Sequence, residues 1–147
     1  MLKNKKKLLF ILLIFSLSVI LITILTLRIT NKDNQVILDC NNKSKEEIEC
    51  KLKGKGKGYD VSNVSMRINV SDNAKLEKVV IDSIWQGSGD DGIVELYTDK
   101  DKKGLFNIGT FTVKRKDNKK VKISLNNIIY FDENFEKRPV NELNKEM

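Results

Sequence analysis

Twenty consecutive uncharged residues, "LLFILLIFSLSVILITILTL" (Leu8–Leu27), constrain this chain more than any other feature of it. At 1.5 Å of rise per residue they make a helix of about 30 Å, the thickness of a bilayer's hydrocarbon core. Lipid offers backbone N–H and C=O groups no partner, so a segment that crosses it is helical. The hydroxyls of Ser16, Ser18, Thr23 and Thr26 can bond back to the preceding turn. A core helix of a soluble domain would show a polar stripe, and this segment has none. A secretory signal has a shorter apolar region and then a small-residue cleavage site. Here "RITNKDNQ" follows, with no such site. A lipoprotein signal would use Cys40, but Asp39 precedes it and the apolar run ends well upstream. An uncleaved transmembrane anchor is therefore expected over residues 8–28, with a cleaved signal as the other reading. Lys3, Lys5, Lys6 and Lys7 lie before it and Arg28 alone lies after it, so the amino terminus should stay in the cytoplasm. The expected organisation is a basic cytoplasmic stub (1–7), the anchor (8–28), a linker (29–34), an extracytoplasmic domain (35–140) and a polar, frayed tail (141–147). The expected location is the cell membrane, single-pass, with the C-terminal domain extracellular.

The net charge of +7 points less to nucleic acid than it first suggests. Five of the 27 basic residues fall in the first thirty, where there is no acid, which leaves 22 basic against 20 acidic residues. These are interspersed, and a phosphate-binding surface needs a patch rather than a total. No nucleic-acid partner is expected. The chain has no histidine, which excludes Ser-His-Asp and Cys-His mechanisms and removes the commonest metal ligand. "DKDKKG" (99–104) begins like a calcium loop, but Lys103 stands where the third acidic ligand belongs. Asp90-Asp91 and Asp99–Asp101 thus read as solvated turns. Asp82, Asp90, Asp91 and Glu95 could supply a glycosidase carboxylate pair, yet nothing marks any two of them. "KGKGKG" (53–58) lacks the spacing of a phosphate loop and reads as a flexible loop or a strand end. The expectation is a chain that is not an enzyme and carries no cofactor and no metal.

Cys40 and Cys50 are the only cysteines, and outside the membrane an even pair is most simply a disulfide. Two buried free thiols are the other reading. "VILDC" and "IECKL" flank a polar stretch, as a cross-linked hairpin would. Beyond them strand signals dominate. In "VSMRINV" Val64, Met66, Ile68 and Val70 share one face, and Arg67 and Asn69 the other. "LEKVVIDSIW" reads as one strand with Val79, Ile81, Ser83 and Trp85 on a face. "QGSGDDG" is a loop, "IVELY" a short strand and "TDKDKKG" a turn. In "LFNIGTFTVK" parity switches at Gly109, the sign of a β-bulge. In "VKISL" Val121, Ile123 and Leu125 point inward, and Asn126-Asn127 break the pattern before "IIYFD". Seven to nine short strands at this spacing predict an all-β sandwich behind one transmembrane helix.

The order of these features resembles the bacterial cohesin-type domain over about residues 35–138. The matching elements are Asp72–Leu76, Gly104, Phe111-Thr112-Val113-Lys114, Ile123–Ile128 and Asp132. They are core and turn positions, so they bear on fold more than on function. The resemblance implies a jelly-roll sandwich, related to carbohydrate-binding modules, that binds a dockerin-like protein through one sheet face. Trp85 can be a stacking platform for a sugar or a partner's hot spot, or else a core plug, and its parity with Val79 and Ile81 favours the core. Arg67 and Asn69, on the outward face of their strand, are candidate partner contacts. The expected function is a membrane-anchored, non-catalytic binding module with a protein or glycan partner. The alternative is a structural or accessory subunit of a cell-envelope assembly.

Overall fold

The computed structural model describes residues 34–147. The expected stub with Lys3, Lys5, Lys6 and Lys7, the span from Leu8 to Leu27 and most of the linker lie outside the described residues. Among the described residues no helix is long and apolar enough to cross a membrane.

The period-two pattern becomes eight strands. They are β1 (Gln35–Asn42), β2 (Glu47–Val70), β3 (Ala74–Ile81), β4 (Gln86–Ser88), β5 (Ile93–Arg115), β6 (Lys122–Asp132), β7 (Lys137–Pro139) and β8 (Leu143–Glu146). A single 3-10 turn, Asp90–Gly92, precedes β5. All pairings are antiparallel and join the strands into one hydrogen-bonded network.

That network is continuous because β2 and β5, of 24 and 23 residues, each run through two layers. They pair with one another from Glu47↔Lys114 to Arg67↔Ile93, and the register slips around Gly56–Asn63, where both strands leave one layer for the other. The first layer is β1, the N-terminal half of β2, the C-terminal half of β5, and β3. The second is β4, the N-terminal half of β5, the C-terminal half of β2, and β6 with β7 and β8 on its far edge. Tyr130 of β6 joins them, donating its hydroxyl to the Gln35 carbonyl of β1 at 2.8 Å. Between the layers lie Ile48, Leu52, Val64, Met66, Phe111, Ile123 and Leu125, all fully buried or nearly so. Burying an aliphatic or aromatic side chain of this size stabilises by roughly 1.5–3 kcal/mol. Cys40 and Cys50 face each other in the β1–β2 ladder and are disulfide-bonded.

Several local expectations change in three dimensions. "KGKGKG" is neither a loop nor a strand end but lies within β2: Gly54 and Gly56 face inward while Lys53 and Lys55 face out. A Cβ on Gly54 would enter the Phe106 ring and lie 2.8 Å from the Tyr130 hydroxyl, so glycine there makes room for two aromatic side chains. "TDKDKKG" is likewise not a turn that ends a strand. It belongs to β5 at the crossing between layers. The strand expected to run from Leu76 to Trp85 stops at Ile81, since the Trp85 N–H closes a turn onto the Asp82 carbonyl at 3.0 Å. "QGSGDDG" contains β4 and the 3-10 turn. The tail does not fray: β8 pairs with β6 from Lys122↔Glu146 to Leu125↔Leu143, and Met147 and Val121 exchange backbone hydrogen bonds of 2.9 and 2.8 Å. Its polar composition misleads because only one side of an edge strand meets the core.

The Gly109 bulge is present. Leu52 pairs with Gly109 and Lys53 with Asn107, which leaves Ile108 as the extra residue. Phe106 and Ile108 are buried before the slip, and Phe111 and Val113 after it. A Cβ on Gly109 would collide with the Val80 carbonyl. Asn126-Asn127 are a second bulge rather than a strand end. Asn127 has φ 52°, and the buried set shifts from Ile123 and Leu125 to Ile128 and Tyr130.

Candidate functional site

The outer face of the second layer gathers exposed and half-buried side chains that make no hydrogen bond or ion pair among the described residues. Three strands build it. In β2 the inward residues Val64, Met66 and Ile68 leave Ser65, Arg67 and Asn69 outside. In β5 the inward residues Val94 and Leu96 leave Ile93, Glu95 and Tyr97 outside. In β6 the inward residues Ile128 and Tyr130 leave Ile129 and Phe131 outside. Register aligns them in rows: Tyr97, Asn63 and Phe131; then Glu95, Ser65 and Ile129; then Ile93, Arg67 and Asn126. Tyr97 is 51% exposed and Ile93 40%. Asn63, Ser65, Ser88, Glu95, Tyr97 and Phe131 line a shallow groove of about 530 Å³.

A buried carboxylate braces one end of this face. Asp132, at the end of β6, is 1% exposed. It accepts the backbone N–H groups of Asn134 and Glu136, both at 2.9 Å, and the Arg138 guanidinium at 3.0 and 2.7 Å. Burial alone would push the Asp132 carboxyl up, but the Arg138 and backbone donors outweigh it and hold the group below its ordinary value. Arg138 also lies 5.4 Å from the centre of the Tyr59 ring, and the Tyr59 hydroxyl donates to Asn34 Oδ1 at 2.6 Å. Burial raises the Tyr59 phenol to about 12, partly opposed by Arg138. The β6–β7 turn held by Asp132 presents Phe135, 72% exposed and at φ 60°. Across the crossing, Glu133 Oε2 accepts the Asp60 N–H at 3.0 Å, and Lys103 Nζ lies 3.3 Å from Asp60 Oδ2. In the sequence Asp132 is legible only as the aspartate after "ISLNNI"; its role depends on Arg138 folding back from β7.

Of the residues singled out from sequence, Arg67 and Asn69 lie on this face and are exposed. Trp85 does not. It is 6% exposed, its indole N–H donates to the Asn107 carbonyl at 2.7 Å, and its ring sits 5.6 Å from that of Phe106. Phe106 is 5.7 Å from Tyr130 in turn, so three rings bridge the layers. Sequence reasoning missed Tyr97 and Phe131 as candidate site residues and weighed Glu95 only as a member of a carboxylate pair. Their period-two parity was readable, but which strands would lie side by side was not. Among the described residues no group of three or more acidic, cysteine or histidine side chains could hold a metal ion.

No protein-family model matches the sequence, and no curated protein matches it significantly. The structure is similar to a cohesin module from a family 33 glycoside hydrolase of Clostridium perfringens, with TM-score 0.62 and 10% identity over 78% of this chain and 93% of that one. It is also similar to a non-cellulosomal cohesin from the hyperthermophilic archaeon Archaeoglobus fulgidus, with TM-score 0.57 and 12% identity over 78% of this chain and 88% of that one. At such identities the likeness establishes a cohesin-like β-sandwich and nothing about specific contacts.

Proposed function

We propose that this chain is a membrane-anchored, non-catalytic binding module that holds a cohesin-like sandwich outside the cell and engages its partner on the outer face of the second layer. The observation that carries the reading is the set of side chains on that face. Arg67, Asn69, Glu95 and Tyr97 make no side-chain hydrogen bond or ion pair among the described residues, while Asp132, Arg138, Tyr59 and Asn73 are tied into networks. Unpaired arginine and tyrosine beside exposed isoleucine is a composition that binding surfaces favour. The likeness to cohesin modules supports a binding role, and the absence of histidine argues against the commonest hydrolytic mechanisms. The uncharged run Leu8–Leu27 and the preceding lysines support the anchor. An anchor raises local concentration at the surface and so strengthens weak contacts.

The test uses intact cells producing the chain. Protease added outside should cleave the C-terminal domain, and a protected domain would refute the topology. Partner capture from the cell's secreted and envelope fraction should be lost with Arg67→Glu. It should survive Lys51→Glu, a charge reversal on the outer face of the first layer. Equal behaviour of the two variants would refute the choice of face.

A further inference from the structure

Tyr97 of β5 and Phe131 of β6 pair with the same residue of β2, Asn63, from its two sides. Adjacent strands are 4.7–4.9 Å apart, so the two aromatic positions stand about 9.5 Å apart in one row. Both lie on the outer face, since their neighbours Leu96 and Tyr130 are buried; Tyr97 is 51% exposed and Phe131 half-buried. This strand spacing is close to, and slightly shorter than, the disaccharide repeat of an extended β-1,4-linked chain, in which every second pyranose ring presents the same face. We propose that the row is a subsite for an extended, neutral β-1,4-linked glycan, with one pyranose ring on Tyr97 and the next but one on Phe131.

The groove between the rings supplies what a sugar's hydroxyls need. Asn63, Ser65, Ser88 and Glu95 line it, and none of their side chains has a hydrogen-bond partner among the described residues. An amide, two hydroxyls and a carboxylate offer donors and acceptors side by side, which suits vicinal hydroxyls. Charge decides against a polyanion or a strongly cationic segment. Glu95 is the one charged group lining the groove, and Arg67 lies one row beyond Ser65 with the opposite sign. With Lys137 of β7, which pairs with Phe131 and is exposed, the face carries mixed charge and no patch of one sign, which suits a neutral polymer better than a strongly charged one. Flat aromatic faces bind the apolar side of a pyranose by the same burial and polarisation that favour ring pairs. The proposal rests on the reading that this face binds the partner, and narrows it to one ligand class.

The experiment titrates the full chain, in micelles of a detergent without a sugar head group, with cellohexaose and chitohexaose. Binding is read by saturation-transfer NMR and calorimetry. The hexaoses should bind, and cellobiose, which covers only one ring, should bind about tenfold more weakly. Tyr97→Ala should weaken cellohexaose about tenfold, whereas Tyr97→Phe, which keeps the ring, should not. Phe131→Ala should erase the advantage of the hexaose over cellobiose, a ratio that a merely less stable fold would not alter. Failure of both hexaoses to bind at millimolar concentration, or binding indifferent to Tyr97→Ala, would overturn the proposal. If the hexaoses fail while Arg67→Glu still abolishes partner capture, the glycan is wrong and a protein occupies the face. If Arg67→Glu changes nothing either, the face itself is wrong.

Discussion

Replacing Trp85 by phenylalanine should cost stability and leave binding untouched. The indole N–H to Asn107 carbonyl bond, 2.7 Å long, is lost. That carbonyl sits at the β5 bulge, and an intramolecular hydrogen bond of this kind contributes about 1 kcal/mol. The smaller ring also gives up apolar area equivalent to about two methylenes, or about 1.5 kcal/mol. Together about 2.5 kcal/mol disappears, a large share of the roughly 5–15 kcal/mol that holds a domain folded. The contact with Phe106, at 5.6 Å between ring centres, survives in part because phenylalanine can still meet that ring. Trp85→Ala forfeits it and should cost about 3–5 kcal/mol. Thermal and urea melts of residues 34–147 test this, with an expected fall in Tm of about 10 °C for the phenylalanine variant. Partner or hexaose affinity at a temperature where both variants remain folded should match wild type, because Trp85 is 6% exposed. An unchanged Tm with reduced affinity would refute the reasoning and make Trp85 a contact residue.

Gly54→Ala pushes a methyl group into the Phe106 ring; a loss of about 1–3 kcal/mol in urea melts is expected, and a neutral result would show that the ring has room to move. Cys40→Ala with Cys50→Ala opens a cross-link spanning a separation of 10 residues, for which the chain-entropy model gives about 2.7 kcal/mol, measurable as the difference between the melts of oxidised wild type and the double variant. Asp132 should shape the acid limb of stability: its carboxyl is depressed below 3.8, so its contribution is whole above that value and is lost as pH falls through the lower folded value. Asp132→Asn should flatten stability against pH in that acid range, as followed by Tm from neutrality downward, and an unaltered acid limb would remove Asp132 from the account.

Parity was legible residue by residue. The inward sets Val64–Met66–Ile68 and Val121–Ile123–Leu125 follow from alternation alone, and so does the Gly109 bulge, because a bulge is a parity switch that leaves its mark locally. "KGKGKG" misled for a physical reason. An inward glycine looks like a flexible one until the Phe106 ring that fills its place is known, and that ring lies about fifty residues away in the chain. "TDKDKKG" misled in the same way: turn-forming residues can sit within a strand where it bends between layers. Trp85 was placed in the core by parity along a strand that in fact ends at Ile81, so its burial was anticipated for a reason the fold does not use.

The sequence by itself determined the apolar run with its flanking lysines, the all-β character of the rest, the cysteine pair, and the exclusion of histidine-based chemistry. Each of these depends on composition or on neighbours a few residues apart. The face was decided only by tertiary structure. Tyr97, Asn63 and Phe131 come from three strands, and what makes them one row is the register of two ladders. Register is set by which inward side chains fill the core together and by where each strand bulges, a property of the whole sandwich that no single stretch of sequence contains.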